Sequence, residues 1–213
     1  MKVEFKLGKH FVQQVFWAGL CSLSLLTAPV FAAESSEPQQ AIETFLATIQ
    51  SMNFPVQNLS THQTLAAKAD AFLDLETLSK KALESHWDSA GPEFQKTFLE
   101  LMMKLIESVA YPKSHRFMGQ FEITYPKVEK SGSGFAVHSI IKKEEEALDA
   151  TVVYHLYQKG GQWKVDDIVL DDVSIAEDLK YQFDRIIQEF QYSGLLDKMR
   201  EKLTRAEKDN QIR

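Results

Sequence analysis

The chain has 213 residues, a formal charge of −6 and one cysteine, Cys21. An acidic balance excludes binding of nucleic acid or anionic headgroups through bulk charge. A single cysteine excludes a disulfide framework and any cysteine-cluster metal site.

The first 32 residues have the layout of a cleaved export signal. Lys2, Lys6 and Lys9 form a positive start, Phe11 to Leu26 is mostly apolar, and Val30-Phe31-Ala32 places small or modest side chains before a cleavage point after Ala32. Gln13 and Gln14 interrupt the apolar run, which is too short for a good membrane span. An uncleaved anchor is the competing reading. Lipidation at Cys21 is disfavoured by Leu20 directly before it. Without residues 1–32, 181 residues remain, with a charge of −8 and no cysteine. That length supports one well-buried domain, here residues 33–205, followed by a charged tail over 206–213.

Pro38 suits a first helical turn, and Ile42, Phe45, Leu46 and Ile49 follow at amphipathic helix spacing. Asn53-Phe54-Pro55 breaks that helix, and residues 59–71 predict a second. Asp74 is placed to cap a third, running to His86. After Gly91-Pro92, the span Glu93 to Tyr111 predicts the strongest helix, with a wide apolar face, ended by Pro112. The period then changes. Phe121–Glu129, Phe135–Lys142, Ala150–Gln158 and Gln162–Leu170 predict four strands with short connections, hence an antiparallel meander. Pro126 within the first points to an edge position or a bulge. Closing helices carry Leu179, Phe183, Ile186, Ile187 and Phe190, then, beyond an interruption at Gly194, Leu195, Leu196, Met199 and Leu203. Helices, then a sheet, then helices predict an α+β fold.

Catalytic readings are weak. Asp166 and Asp167 are adjacent strand residues and alternate across the sheet. Asp171 and Asp172 stand before a helix, where capping accounts for them. His138 and His155 fall on neighbouring strands, where a cross-strand pairing would bring two imidazoles within metal-ligand reach, but no third ligand is evident. Ser174 has no His and Asp partners for a triad. No metal site and no catalytic residue is assigned. Fourteen Phe, six Tyr and three Trp are a large apolar supply, and periodicity alone does not separate a filled core from a hollow one.

One group of residues decides between them by likeness. Phe72-Leu73-Asp74-Leu75-Glu76, His86-Trp87, Pro92-Glu93-Phe94 and Phe98-Leu99 stand in the helical half. Val152, Tyr154, Leu156, Gly161, Trp163, Val165 and Asp167 follow in the sheet, then Ser174, Gln182 and Phe183. In order and spacing they resemble the MlaC-like toluene-tolerance family of periplasmic lipid carriers. Asp172 departs from it, where the family tends to have glycine, as does Leu179-Lys180, where it tends to have Tyr-Arg.

The resemblance implies a curved antiparallel sheet packed against N-terminal and C-terminal helices around an apolar cavity. It implies a periplasmic, non-enzymatic phospholipid carrier in the pathway that maintains outer-membrane lipid asymmetry. Cargo would pass between an outer-membrane lipoprotein complex and an inner-membrane ABC transporter containing an MCE-domain protein. Membrane contact would be transient, with no cofactor beyond the bound phospholipid; a related branch is associated with hopanoids. Phe98, Met102, Ile106, Val152, Tyr154, Leu156, Val165 and Phe183 are the expected lipid-binding residues, with Trp163 and Asp167 in structural roles. An interaction module with a filled core, or an enzyme using His138 and His155, are the competing functions.

Overall fold

In a computed structural model, residues 37–118, 122–143 and 146–210 are described. The export segment expected over residues 1–32 and the last three residues of the expected tail lie outside them. All the described residues fall in one unit, Ser35–Arg213. The chain runs α1 (Glu37–Gln50), α2 (Leu59–Asp70), α3 (Leu75–Leu83), α4 (Ser85–Ser89), α5 (Pro92–Leu105), a π-helical turn (Ile106–Ala110) and α6 (Tyr111–Met118). Strands β1 (Glu122–Ser131), β2 (Gly134–Lys143), β3 (Glu146–Lys159), β4 (Gln162–Leu170) and β5 (Val173–Ser174) follow, and α7 (Ile175–Asn210) closes the fold. The architecture is α+β, and the sheet is antiparallel in the order β1-β2-β3-β4-β5.

That sheet has five strands where four were expected. The extra strand, β5, is two residues long and pairs Val173 with Leu170 and Ser174 with Val169. Between them Asp171 and Asp172 both take positive φ, 46° and 66°, as a two-residue hairpin turn demands. Gly160 and Gly161 make the equivalent turn between β3 and β4, at 61° and 78°, without the strain that a side chain adds. Pro126 sits both on an edge strand and at an irregularity between Thr124 and Lys127.

Three helix boundaries differ from expectation. Pro112 does not end the long helix. A π-helical turn precedes it, in which the Tyr111 amide reaches back to the carbonyl of Ile106. The wider turn accommodates the missing N–H of Pro112 in the first turn of α6. The expected single helix from Asp74 to His86 is divided at Glu84, whose φ is 48°. In α7 the helical path breaks at Gln191 (φ 59°, ψ −177°), not at Gly194. Gly194 serves close packing instead, since a Cβ there would come within 2.2 Å of the Phe190 Cβ. Beyond the break the helix continues to Asn210, through most of the expected tail.

The buried side chains form two clusters. One joins α1 and α2 to the inner sheet face through Ile42, Phe45, Ile49, Ala66, Ala69, Val137, Leu156 and Val165. The other joins α3, α4 and α5 to α7 through Leu83, Trp87, Phe98, Phe183, Leu195 and Met199. Ile106, in the π-helical turn, packs against both. Asp74 links the helical layer to the sheet. Its carboxylate caps α3 by accepting from the Thr77 amide at 3.1 Å, and it also accepts from Tyr157 and, at 2.8 Å, from Lys159. Burial raises its pKa, yet these donors together hold it well below the usual carboxylate range.

Candidate functional site: an apolar cavity between sheet and helices

Between the two clusters lies an open-mouthed cavity of about 420 Å³. Helices supply one wall: Phe45 and Leu46 from α1, Leu78 from α3, Met102 from α5, and Ile106 and Ala110 from the π-helical turn. The sheet supplies the other, with Ile141 from β2, Val152 and Tyr154 from β3, and Val165, Ile168 and Leu170 from β4. The lining becomes exposed at Lys113 and Phe117 of α6 and Ile175 of α7, which mark the mouth, with Ser114 and Leu179 half-buried beside them and Ala176 buried. Phe117, Leu170 and Ile175 remain 41–44% exposed, so the mouth has an apolar rim.

Apart from Lys113, the lining carries no charged side chain among the described residues. The Tyr111 hydroxyl donates to Asp70 at 2.7 Å, and the Ser139 hydroxyl donates to the Val152 carbonyl at 3.0 Å. Burial raises the phenol pKa values of Tyr111 and Tyr154, and for Tyr111 the adjacent Asp70 charge adds to the rise. Both phenols are therefore neutral at physiological pH. Glu107 lies behind this wall. Burial, then repulsion from Asp70, pushes its pKa up to about 7.

Of the eight residues expected to bind lipid, Met102, Ile106, Val152, Tyr154 and Val165 line the cavity. Phe98 and Phe183 do not. They meet edge-to-face with ring centroids 5.5 Å apart, inside the second cluster. Leu156 is buried in the first cluster and does not line the cavity. Trp163 packs edge-to-face on Phe135 at 5.7 Å. Asp167 accepts from the Ser174 hydroxyl at 2.7 Å and from the Ala176 amide at 3.2 Å, which fixes the start of α7 on β4.

Ile168 and Leu170 went unanticipated because strict alternation from Val165 points to Asp167 and Val169. A bulge changes the count. Pairing with β3 skips from Leu156↔Val165 to His155↔Asp167, leaving Asp166 as an extra residue. The freed Asp166 carboxylate pairs with Lys81 at 2.7 Å. Asp171 and Asp172 do not cap α7. Ser174 does, accepting from the Glu177 amide at 3.1 Å, while Asp171 accepts from the Thr151 amide at 2.9 Å.

The two histidines are not opposite one another. His138 pairs with Val153 and His155 with Ala136. His138 meets Glu129 at 2.8 Å, and His155 lies 3.5 Å from the Ser131 hydroxyl. Among the described residues no group of three or more His, Cys, Asp or Glu side chains is arranged to hold a metal ion. None of the described helices is long and apolar enough to cross a membrane.

The family model described as MlaC protein matches residues 39–201, most of the chain and all the walls of the cavity. The chain belongs to the MlaC family. Among solved structures, a phospholipid-binding protein from Ralstonia solanacearum, determined at 1.53 Å in complex with a phospholipid, is similar. It aligns with a TM-score of 0.65 and 20% identity over 78% of this chain and 94% of that one. At this identity the likeness is one of fold. No curated protein matches the chain.

Proposed function

We propose that this protein is a periplasmic phospholipid carrier whose cargo inserts its acyl chains between the sheet and the helices. The observation that carries this reading is an open, apolar cavity of about 420 Å³ in a member of the MlaC family. The phospholipid bound to the Ralstonia protein of the same fold supports it. Val152, Tyr154, Val165, Met102 and Ile106 are the expected chain-contacting residues, joined by Ile168 and Leu170.

The physical demand on such a carrier is large. Burying each methylene is worth about 0.8 kcal/mol, so a two-chain lipid leaves a bilayer unaided only slowly. A dry cavity of comparable character makes transfer close to balanced, and differential contact with each partner then sets loading or release. An acidic body suits a carrier that visits anionic bilayers without remaining there. In this reading the expected export signal delivers the chain to the periplasm. Its partners are an outer-membrane lipoprotein complex and an inner-membrane ABC transporter with an MCE-domain protein.

Native mass spectrometry of protein purified from the producing cells tests the central step. Added mass matching a glycerophospholipid is the expected result. Protein that emerges without lipid, and takes none up from vesicles, would overturn the proposal.

A further inference from the structure

Inside the cavity the Tyr111 hydroxyl is bonded to Asp70, whereas among the described residues two polar side chains at the mouth have no partner. Lys113 is exposed and Ser114 half-buried. Both line the mouth, and neither has a hydrogen-bond or ion-pair partner among the described residues. They stand one after the other in the first turn of α6. Phe117, four residues after Lys113 and so on the same helix face, continues the apolar rim. Among the described residues of the lining, Lys113 is the only basic side chain and there is no carboxylate.

Building on the carrier reading, we infer that Lys113 and Ser114 form the headgroup subsite, and that it favours glycerophospholipids of net negative headgroup over zwitterionic ones. The chemistry follows from what each group offers. A lipid whose chains enter the cavity leaves its phosphodiester at the mouth. There an ammonium provides up to three donors and a hydroxyl one more. The lysine stem can lie along the rim with its charge in water. A phosphatidylglycerol headgroup presents one negative charge to this pair and nothing that repels it. Phosphatidylethanolamine carries the same phosphate with an ammonium of its own, which competes with Lys113 and finds no carboxylate in the lining. The acidic body does not contradict this, because the preference arises at one contact and not from net charge.

The test is competitive loading. Delipidated protein is incubated with vesicles of equimolar phosphatidylglycerol and phosphatidylethanolamine with identical acyl chains, and bound lipid is extracted and quantified. Wild-type protein is expected to take up phosphatidylglycerol about two- to fivefold in excess, the range of a solvent-exposed charge contact. Lys113→Gln brings the ratio to about one, and Lys113→Glu inverts it. Lys127→Gln, which removes the same charge on the edge strand β1, keeps the wild-type ratio. Equal uptake by wild-type protein, or a preference that survives Lys113→Gln or disappears equally in Lys127→Gln, overturns the headgroup subsite and leaves the carrier reading standing. Wild-type protein that binds neither lipid overturns both.

Discussion

The Tyr111 hydroxyl donates to the Asp70 carboxylate across 2.7 Å, tying the end of α2 to the start of α6 at the cavity wall. Glu107, from the adjoining π-helical turn, faces the same carboxylate, and burial followed by the Asp70 charge raises its pKa to about 7. The pKa of Asp70 is raised as well, chiefly by burial and against the hydrogen bond from Tyr111. Lys104 acts on Glu107 in the opposite direction but is outweighed.

The sign of the resulting pH dependence is fixed. Glu107 keeps its proton in the folded protein up to about pH 7, whereas its ordinary value is 4.5. Between those values the folded state binds more protons, so this group's stabilising contribution is complete below the window and lost as pH rises through it. Relative to Glu107→Gln, the wild-type protein should lose on the order of 1–2 kcal/mol from pH 4.5 to 7, after solvent screening of a half-buried group. Urea unfolding at several pH values measures the difference. Parallel curves for the two proteins would refute the assignment.

Asp74 has the opposite sign. Its pKa is depressed in the fold, so its contribution is present above the ordinary value of 3.8 and fades as pH falls below it. Asp74→Ala removes the cap of α3 and leaves Tyr157 without its buried acceptor. A loss of about 2–3 kcal/mol is expected at neutral pH, with Tyr157→Phe costing about 1 kcal/mol. Denaturant midpoints decide this, and equal costs for the two variants would mean that the cap and the Lys159 contact contribute nothing.

The β4–β5 turn separates strain from bonding in neighbouring residues. Asp171 and Asp172 both have positive φ, but Asp171 also accepts from the amide of Thr151, and its own amide donates to the Thr151 carbonyl. Asp172→Gly should therefore raise stability by up to about 1 kcal/mol through relief of left-handed strain. Asp171→Gly should give no such gain, because the lost carboxylate bond, about 1 kcal/mol, offsets the same relief. A melting temperature that falls for Asp172→Gly would contradict the strain argument.

Much of this fold was legible because its signals are local. Asp74 as a cap, Gly160-Gly161 as a turn and the helix-to-strand change of period each depend on a few neighbouring residues. What escaped was set by irregularities with no such signature. The bulge at Asp166 moves Ile168 and Leu170 to the cavity face, and the π-helical turn lets the chain pass Pro112 without stopping. Phe98 and Phe183 had the right periodicity for a cavity wall, yet they face each other in a solid cluster. Apolar spacing marks which side of a helix is buried, but not whether the space it faces is filled.

That distinction yields the sharpest contrast between cavity and core. Val152 faces open space, so Val152→Trp can extend into the cavity with little overpacking, at a cost below the usual 1–3 kcal/mol, and should exclude acyl chains. Phe98 is fully buried against Phe94 and Phe183, so Phe98→Ala should cost about 3–5 kcal/mol through the cavity it creates. The molecules that remain folded should still retain lipid. The two variants thus dissociate cargo from stability: one with a native circular dichroism spectrum and reduced lipid, the other with a lowered melting temperature and lipid bound in proportion to folded protein. Full lipid content in stably folded Val152→Trp would show that this wall does not contact the chains.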